Sequence, residues 1–592
     1  MTPAVSYDPF GPARDLDRYL GDPSDPAVAF SYANSLALDE REEFPEASCA
    51  ALTSWGLNEY FVPAEHGGRL HSYEQLLHLI RLVARRDMTV AVGYGKTFLG
   101  AVSAWVAGTP RQRADLAARI LDGTQLAWAL TERDHGSDLL ASELAAAPAA
   151  GGFQLTGEKW LINNATRGRL VAVLARTDPA GGPRGFGVLL VDKDQLEPDT
   201  WRCLPKVRTH GIRGADISGI AFTGARLPTA AHLGAPGSGL EVVLKGLQLT
   251  RTMCASLALG VGENALRIAI AWASSRRLYG RSLADLPAAR RVLLDAYTDH
   301  LCAEAVAVVS SRMIHWRPEE LSLASAAVKY LLPVQAEASV AALGRLLGAR
   351  SIFADADFQK VARDARIVSL FDGSTVVNLH AIVTQFPVLT RAYRRQRPWS
   401  ELDAVADVTR PVPRHDPERL RLICPNGLHL LTSLADASRA LADLAVRRPG
   451  LVGVAALAGE LVQRTDRLHD TIAGLPPARG GAPVAHLEAA RRLTLCYAGA
   501  AAVALWLANH SGGTGTQQVW YDGHWLTAVL SRILVALGES VPTQPEADQA
   551  LWELLTAQAD DGRLFSVFDV NLTPDGRAPA GADRMPAGGL DG

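Results

Sequence analysis

The chain has 592 residues, with 59 lysines and arginines against 62 aspartates and glutamates, for a formal net charge of -3 at pH 7. This length predicts roughly four domains and a large buried core. The balanced charge gives no electrostatic reason to expect a nucleic acid or an anionic membrane surface as the main partner. Composition therefore favours an enzyme that acts on small molecules.

The cysteines and the N-terminus bear on the cellular compartment. The six cysteines include no Cys-x-x-Cys pair and have no histidines at metal-ligand spacing, so neither a metal site nor a disulfide framework is predicted. The N-terminus carries Asp8, Asp15 and Asp17 instead of a basic and then apolar signal sequence. The longest apolar run, 496–508, is shorter than the roughly 18 residues of a membrane span. We expect a cytoplasmic protein with no integral membrane segment.

The first part of the chain predicts helices and then strands. Apolar residues at helical spacing, such as Leu76, Leu77 and Ile80, predict an N-terminal helical domain over 1–123. Short β-like runs separated by Gly, Pro and Asp follow, and they predict a middle β domain over 124–237.

Helical texture returns over 238–396 and predicts a bundle of long, mutually buried helices. Residues 260–265 (Gly-Val-Gly-Glu-Asn-Ala) match a dinucleotide-binding fingerprint by letters, but no strand precedes them. Since they lie inside a helical run, we interpret these glycines as sites of close helix packing.

Prolines mark the end of this bundle. Residues 397–418 are rich in proline and charge and predict a linker. Apolar spacing over 419–572 predicts an additional C-terminal helical domain, with a Pro- and Gly-rich loop at 476–483. The Gly- and Pro-rich tail 573–592 is expected to be disordered. The fold class is therefore mainly α with a central β domain.

One segment has the texture of a ligand site. In 127–138 an apolar strand runs into a polar, glycine-containing turn, where main-chain N–H groups and hydroxyls can face a ligand together. Taken alone, the segment favours an ordinary solvated turn. Further motifs downstream change that balance.

The motifs together resemble those of the acyl-CoA dehydrogenase and acyl-CoA oxidase superfamily. Residues 127–132 (Ala-Trp-Ala-Leu-Thr-Glu) are similar to the strand that contacts the flavin ring, and 136–137 (Gly-Ser) to the turn at its pyrophosphate. Residues 62–68 (Val-Pro-Ala-Glu-His-Gly-Gly) resemble the N-terminal signature. Residues 276–280 (Arg-Arg-Leu-Tyr-Gly) resemble the element that reaches the FAD of a neighbouring subunit. The resemblance covers residues from about 30 to 396.

This resemblance implies a fold and a set of site residues. The fold is an N-terminal helical domain, a middle β-barrel and a C-terminal helical bundle carrying the catalytic base, here followed by an extra helical domain. It implies FAD as the cofactor and Arg251 as a residue near the thioester substrate. The implied cofactor-binding residues are Trp128, Leu130, Thr131, Gly136, Ser137, Trp160, Ile162, Asn163, Arg276, Tyr279, Arg345, Gly348 and Ser374.

The implied base is Asp372. Family members commonly carry a glutamate in Tyr-Glu-Gly-Thr, and the matching stretch 371–374 here is Phe-Asp-Gly-Ser. A carboxylate base removes the α-proton of the thioester while the flavin takes the β-hydride. The missing methylene retracts the carboxylate by about 1 Å, which can lower a rate roughly a hundredfold. The alternative base position of some relatives is Thr250 here, and Asp372 as a simple turn residue remains the structural alternative.

Other positions depart from the family pattern. The family's Trp-Ile-Thr is replaced by Leu-Ile-Asn at 161–163, with the tryptophan moved to Trp160. Asn163 keeps the ability to donate a hydrogen bond to the ring nitrogen that accepts hydride. Arg276 and Arg345 are suited to grip a pyrophosphate, so the resemblance still implies FAD binding.

The resemblance implies FAD-dependent α,β-dehydrogenation of an acyl thioester, bound to CoA or to an acyl carrier protein, in specialised bacterial metabolism. Residues 135–137 (His-Gly-Ser) resemble the acyl-CoA oxidases more than the dehydrogenases. The electron acceptor is therefore either O2, as in an oxidase, or an electron-transfer flavoprotein, as in a dehydrogenase. Of the two we favour the dehydrogenase. A non-redox thioester-binding scaffold is the alternative from another class. The extra domain implies a homodimer. A basic stretch at 391–397 fits either an acidic carrier protein or a solvated helix end.

Overall fold

The computed structural model describes residues 7–395, 402–478, 481–511 and 517–572. The chain begins with a helical domain, as predicted. Its Leu76 and Leu77 are buried in a helix that starts where the Ser72 hydroxyl accepts hydrogen bonds from the N–H groups of Glu74 and Gln75. The helices of this part are α1 (Gly11–Leu20), α2 (Tyr32–Arg41), α3 (Glu46–Trp55), α4 (Tyr73–Arg86), α5 (Met88–Ala107) and α6 (Pro110–Leu121).

The middle domain is a mixed sheet with strand order β6-β7-β3-β2-β4-β5-β8, and β1 pairs with β4 in parallel. Strand β4 is apolar throughout because both of its faces are buried. Its Leu170, Ala172 and Leu174 pack on the helices, whereas Val171 and Val173 fill the core of the sheet domain itself. The strands are β1 (Leu126–Ala129), β2 (Ala145–Ala149), β3 (Gly152–Asn163), β4 (Leu170–Arg176), β5 (Phe186–Asp192), β6 (Trp201–Leu204), β7 (Ile217–Pro228) and β8 (His232–Leu233).

A bundle of helices follows the sheet, interrupted by a short hairpin, β9 (Arg277–Leu278) with β10 (Arg281–Ser282). A Cβ atom on Gly260 would lie 2.5 Å from the Cβ of Ala84 and 2.7 Å from the carbonyl oxygen of Arg81. Close helix packing therefore explains Gly260. A Cβ atom on Gly262 would meet only Nδ1 of His300 at 3.8 Å and the Cβ of Ala336 at 4.0 Å, so the interpretation is confirmed for the first of the two glycines alone. The helices are α7 (Gly239–Ser275), α8 (Pro287–Trp316), α9 (Leu321–Leu347), α10 (Asp357–Ala365), α11 (Thr375–Val383) and α12 (Phe386–Arg394).

Helices α5 and α7 are long and apolar enough to cross a membrane. However, 67% and 83% of their most apolar stretches are buried inside the protein, as in core helices. This is weak evidence for a span.

Further helices follow the bundle, as the fold prediction required, and they pack mainly on α8 and α9. Part of the predicted linker is a helix whose Val405 and Ala406 are fully buried, which proline content alone did not indicate. Residues 397–401 of that linker and the tail 573–592 lie outside the described residues. The helices are α13 (Leu402–Ala406), α14 (His429–Thr432), α15 (Leu434–Arg447), α16 (Val452–Gly474), α17 (Val484–Asn509), α18 (Gln517–Tyr521), α19 (His524–Ala536) and α20 (Pro545–Asp561).

Candidate active site

A cavity of about 520 Å³ lies where the sheet domain meets α5, α7 and the loop before α11. Most of its lining is apolar, with a few polar groups converging on it, which is the usual character of a small-molecule site. It brings together many of the residues predicted from the sequence. These are Trp128, Leu130, Thr131, Gly136, Ser137, Trp160, Ile162, Asn163, Arg251, Asp372 and Ser374.

Four predicted cofactor residues lie elsewhere. Arg276, Tyr279, Arg345 and Gly348 are exposed and do not line the cavity, and Tyr279 has 90% of its surface accessible. The sequence assigned Arg276 and Tyr279 to the cofactor of a neighbouring subunit, so their role stays a prediction about an assembly of two chains.

Asp372 occupies a tight turn with a free carboxylate. Its φ of 52° lies in the left-handed region, which is unfavourable for a residue with a side chain and has to be held by surrounding contacts. Its carbonyl oxygen accepts a hydrogen bond of 2.9 Å from Nε of Arg251. Its carboxylate oxygen Oδ2 is buried and accepts no hydrogen bond from any described residue. The main chain is therefore anchored while the acidic group stays available.

Two further side chains hold the same turn. Nζ of Lys329, on α9, donates to the carbonyl oxygens of Val368 at 2.7 Å and Gly373 at 3.3 Å. Nδ2 of Asn378 donates to the carbonyl oxygen of Gly373 at 2.8 Å. Sequence reasoning did not find Lys329, since its partners are main-chain groups some forty residues away.

A buried ion pair holds the polar turn after β1. Nζ of Lys159 lies 2.8 Å from Oε1 of Glu132, and it also donates to the carbonyl oxygen of Leu130 at 2.9 Å. Burial favours the neutral form of Glu132, but the charge and hydrogen bond of Lys159 outweigh it and lower the pKa of this carboxyl. The hydroxyl of Thr131 donates to the carbonyl oxygen of Trp160 at 2.7 Å. The turn is thus rigid before any ligand arrives.

A β-bulge explains the displaced tryptophan. Leu161 has a φ of 56°, and the register between β3 and β7 shifts between Trp160 and Ile162. An extra residue on one strand shifts the alternation of its side chains by one. At this bulge the cavity is lined by all four consecutive residues of 160–163, including Trp160 and Asn163.

Asn163 is only partly committed. Its Nδ2 donates to the carbonyl oxygen of Val92 at 2.9 Å, and its Oδ1 is buried without a partner among the described residues. The Asn163 atom without any hydrogen bond is thus the acceptor Oδ1, whereas the sequence analysis predicted a role for the donor Nδ2. Its contact with a flavin stays a prediction.

The neighbouring Arg363 and Asp364 join the domains instead of lining the cavity. Oδ1 of Asp364 accepts a hydrogen bond of 2.6 Å from the N–H of Ile212 in the sheet domain. Nη2 of Arg363 lies 2.5 Å from Oδ2 of Asp39 in the first domain. These contacts fix the sheet domain relative to both helical regions.

Two more titratable groups near Asp372 were missed from the sequence. Cys254 and Lys96 both line the cavity. Burial raises the pKa of the Cys254 thiol to about 12, so this cysteine is not a thiolate nucleophile near neutral pH. Burial lowers the pKa of Lys96, while the negative charge of Asp372 opposes that shift. The signal for Lys96 was present, because it is the one charged residue in the apolar stretch 88–107.

Three buried polar atoms that face no partner among the described residues belong to lining residues of this cavity. They are the indole Nε1 of Trp128, Oδ1 of Asn163 and Oδ2 of Asp372. Buried polar groups are nearly always hydrogen-bonded in folded proteins, so such a cluster indicates a site completed by a ligand. A large ligand with both acceptor and donor atoms, such as a flavin beside an acyl thioester, fits this set.

Fold and site together define a flavoprotein oxidoreductase. The family model described as acyl-CoA dehydrogenase, middle domain, matches residues 127–225. The one described as acyl-CoA dehydrogenase, C-terminal domain, matches residues 237–386. The sheet domain and the helical bundle of this chain thus match two domains of the acyl-CoA dehydrogenases, over 127–225 and 237–386.

Individual relatives agree with this assignment. The chain is 28% identical over 342 residues to the probable acyl-CoA dehydrogenase FadE25 of Mycobacterium tuberculosis, covering 57% of this chain and 87% of that protein. Its fold is similar to an acyl-CoA dehydrogenase from Bacillus anthracis complexed with FAD, with a TM-score of 0.66, 18% identity and coverage of 95% and 96% of the two chains. It is also similar to the prolyl acyl carrier protein oxidase AnaB, with a TM-score of 0.59, 18% identity and coverage of 64% and 98%.

Proposed function

We propose that the protein removes hydrogen from the α and β carbons of an acyl thioester, with Asp372 as the base and FAD as the cofactor. The observation that carries this proposal is the unpaired Asp372 carboxylate in a mainly apolar cavity of about 520 Å³. A base has to be free to accept a proton, and a carboxylate already bound to donors would be a poor one.

Asp372 would take the α-proton on its carboxylate while the β carbon loses a hydride, and a double bond forms between the two carbons. Arg251 and Lys329 keep the turn in place through main-chain oxygens and leave the acidic side chain unneutralised by direct contact. This arrangement compensates in part for the shorter side chain of aspartate, because a fixed main chain defines where the carboxylate can reach.

FAD, when bound, supplies the hydride acceptor. We propose that its ring lies against Trp128, Thr131 and Asn163, since their segments are rigid and face the cavity. Gly136 and Ser137 would hold the phosphates through main-chain N–H groups, and a Cβ atom on Gly136 would meet no atom within 4 Å, so that side of the turn is open. Arg276 and Arg345 would serve the cofactor of the second subunit in a homodimer.

The test is anaerobic reduction of the flavin by a panel of acyl thioesters. The wild type should carry FAD and bleach with at least one of them. Asp372→Asn should bind FAD equally but bleach about a hundredfold to ten-thousandfold more slowly, as expected for the loss of a general base. Asp436→Asn is the matched control, because Asp436 pairs with the exposed Arg439 far from the cavity.

The possible failures are distinct. If Asp372→Asn bleached as fast as the wild type, the base would be another group. If the wild type bound FAD but no thioester reduced it, the proposed reaction would be wrong. If the wild type took up no flavin at saturating FAD, the fold would be used as a thioester-binding scaffold instead.

For the electron acceptor we propose a separate electron-transfer flavoprotein over O2. The neighbouring oxidase AnaB and the His-Gly-Ser spelling at 135–137 keep the oxidase as the second candidate. Peroxide formed in stoichiometric amounts during turnover in air would establish the oxidase.

The proposal covers both CoA and an acyl carrier protein as the carrier of the thioester. In the basic stretch that could dock a carrier, Arg394 faces Asp470 at 3.7 Å and Arg397 lies outside the described residues.

A further inference from the structure

Lys96 is a cation in an apolar setting. It projects from α5, a helix whose other side chains are uncharged, and it lines the same cavity as Asp372. Among the described residues it has no hydrogen-bond or ion-pair partner. Nearby walls of the cavity include Phe98, Leu99 and Leu257. Lys96 is half-buried, and an ammonium that a bound molecule then covers is costly to bury unless that molecule supplies an acceptor.

The other cations at this site are already engaged. Nε of Arg251 donates a hydrogen bond to the carbonyl oxygen of Asp372, and Nζ of Lys329 donates to the carbonyl oxygens of Val368 and Gly373. No ion pair within 4 Å joins Lys96 to the Asp372 carboxylate, although the two groups are close enough for that charge to act on the lysine. Among the cations that line the cavity, Arg251 has one hydrogen bond and Arg133 lies 3.6 Å from Glu158, whereas Lys96 has no hydrogen bond or ion pair with any described residue.

We propose that Lys96 selects the acyl group, by binding a hydrogen-bond acceptor carried on it, and best of all a carboxylate. This inference rests on the proposed function, and it names the substrate class of that site. A plain alkyl chain would leave the lysine buried and unpaired, and an acyl group bearing a protonated amine would be repelled by it. The preferred thioesters are therefore those of dicarboxylic or similarly acceptor-bearing acids.

The physical argument also gives the size of the effect. A hydrogen bond to a charged group contributes more than one between neutral groups, and losing one partner leaves the other buried and unsatisfied. We expect the wild type to bind a thioester with a terminal carboxylate about tenfold to a hundredfold more tightly than the methyl-ended thioester of the same length.

The experiment measures binding and reduction separately. Calorimetry on the FAD-loaded protein gives Kd for a matched pair of CoA thioesters, one ending in a carboxylate and one in a methyl group. Lys96→Met should abolish or invert the preference, and Lys96→Arg should keep it. Lys245→Met is the control, because Lys245 pairs with Glu241 on α7 and does not line the cavity. Melting temperatures of all variants show whether each is folded.

Equal Kd values for the two thioesters in the wild type would overturn the inference, and so would an unchanged ratio in folded Lys96→Met. Because Kd needs no turnover, a preference for the carboxylate without flavin bleaching would support the role of Lys96 and reject the proposed reaction. If both thioesters bleached the flavin and bound with equal affinity, the proposed reaction would be supported and the role of Lys96 rejected.

Discussion

Two clusters of buried charge in this protein differ in how completely they are satisfied. In the cluster around Arg81, Nε contacts Glu263 at 3.0 Å, Nη1 contacts Glu304 at 2.6 Å, and Nη2 donates to the carbonyl oxygen of Phe565 at 2.9 Å. In the cavity, Asp372 and Lys96 have no such partners among the described residues. The first cluster is closed on itself, and the second is open to a ligand.

This difference separates structural charge from functional charge. The Arg81 cluster joins α4, α7 and α8 to the segment 565–567 of the C-terminal region, where Val567 donates its N–H to Glu304 at 2.8 Å. Burying these ions is tolerable because each finds partners. At the cavity the free-energy cost of removing Asp372 and Lys96 from water is not offset by partners within the chain. This is consistent with a site whose partners arrive with the ligands.

The strongest way to break the comparison is Arg81→Met. It leaves Glu263 and Glu304 buried without their main counter-charge, and such a loss typically costs about 3 to 5 kcal/mol. Thermal unfolding should show a large drop in Tm, with the C-terminal segment losing protection from proteolysis first. Arg18→Met is the control, since Arg18 pairs with Asp15 on an exposed helix face, and its Tm should stay at the wild-type value. Similar Tm values for the two variants would mean that the closed cluster does not stabilise the fold.

The second variant, Lys329→Met, converts an anchored turn into a loose one. It removes two hydrogen bonds from the turn and should let Asp372 move by about 1 Å, which would slow flavin bleaching roughly a hundredfold. The Kd of the thioester should change little, because Lys329 contacts the turn and does not line the cavity. Stopped-flow reduction separates the rate constant from Kd. An increase in Kd with an unaltered rate constant would contradict a positioning role.

A third variant addresses the flavin side. Glu132→Gln removes the counter-charge of buried Lys159 and loosens the turn that carries Thr131 and Gly136. Preorganisation of that turn should then be lost, and we expect the affinity for FAD to fall by about tenfold, the equivalent of a typical buried hydrogen bond to a charge. Fluorescence titration of FAD into the deflavinated protein measures this. Glu197→Gln, an exposed change in the same domain, should leave the affinity intact.

The sequence predicted the order of helical and strand regions and eleven of the residues that line the cavity, because those features depend on local patterns. The strand and turn at 127–138 and the turn at 371–374 are each contiguous, and both line the cavity. The contacts that make Asp372 usable are not local. Lys329 acts on main-chain oxygens about forty residues away, and no side-chain pattern records that pairing. The sequence did contain a signal for Lys96, because it is the single charged residue of an apolar helix. Only the folded chain shows that Lys96 and Asp372 line the same cavity.

The last prediction concerns pH and a buried histidine on α8 that contacts both the first helical domain and the predicted linker. Nε2 of His315 accepts the N–H of Tyr73 at 3.0 Å, and Nδ1 lies 2.7 Å from the carbonyl oxygen of Pro413, so the neutral ring fits both partners. Burial lowers the pKa of His315 to about 3, and nearby His415 adds to the shift. Between pH 3 and the ordinary value of 6.5 the unfolded chain therefore binds one more proton at this site than the folded chain does.

The stabilisation by neutral His315 is complete above pH 6.5 and is lost as the pH falls towards 3, at about 1.4 kcal/mol per pH unit. His315→Gln keeps an acceptor and a donor but cannot titrate. The variant should therefore lose one proton from the difference in proton binding between the unfolded and the folded chain, and its Tm should depend less steeply on pH below 6.5. Above pH 7 the two proteins should show parallel, nearly level profiles. An undiminished acid slope in the variant would show that His315 is not the source of this pH dependence.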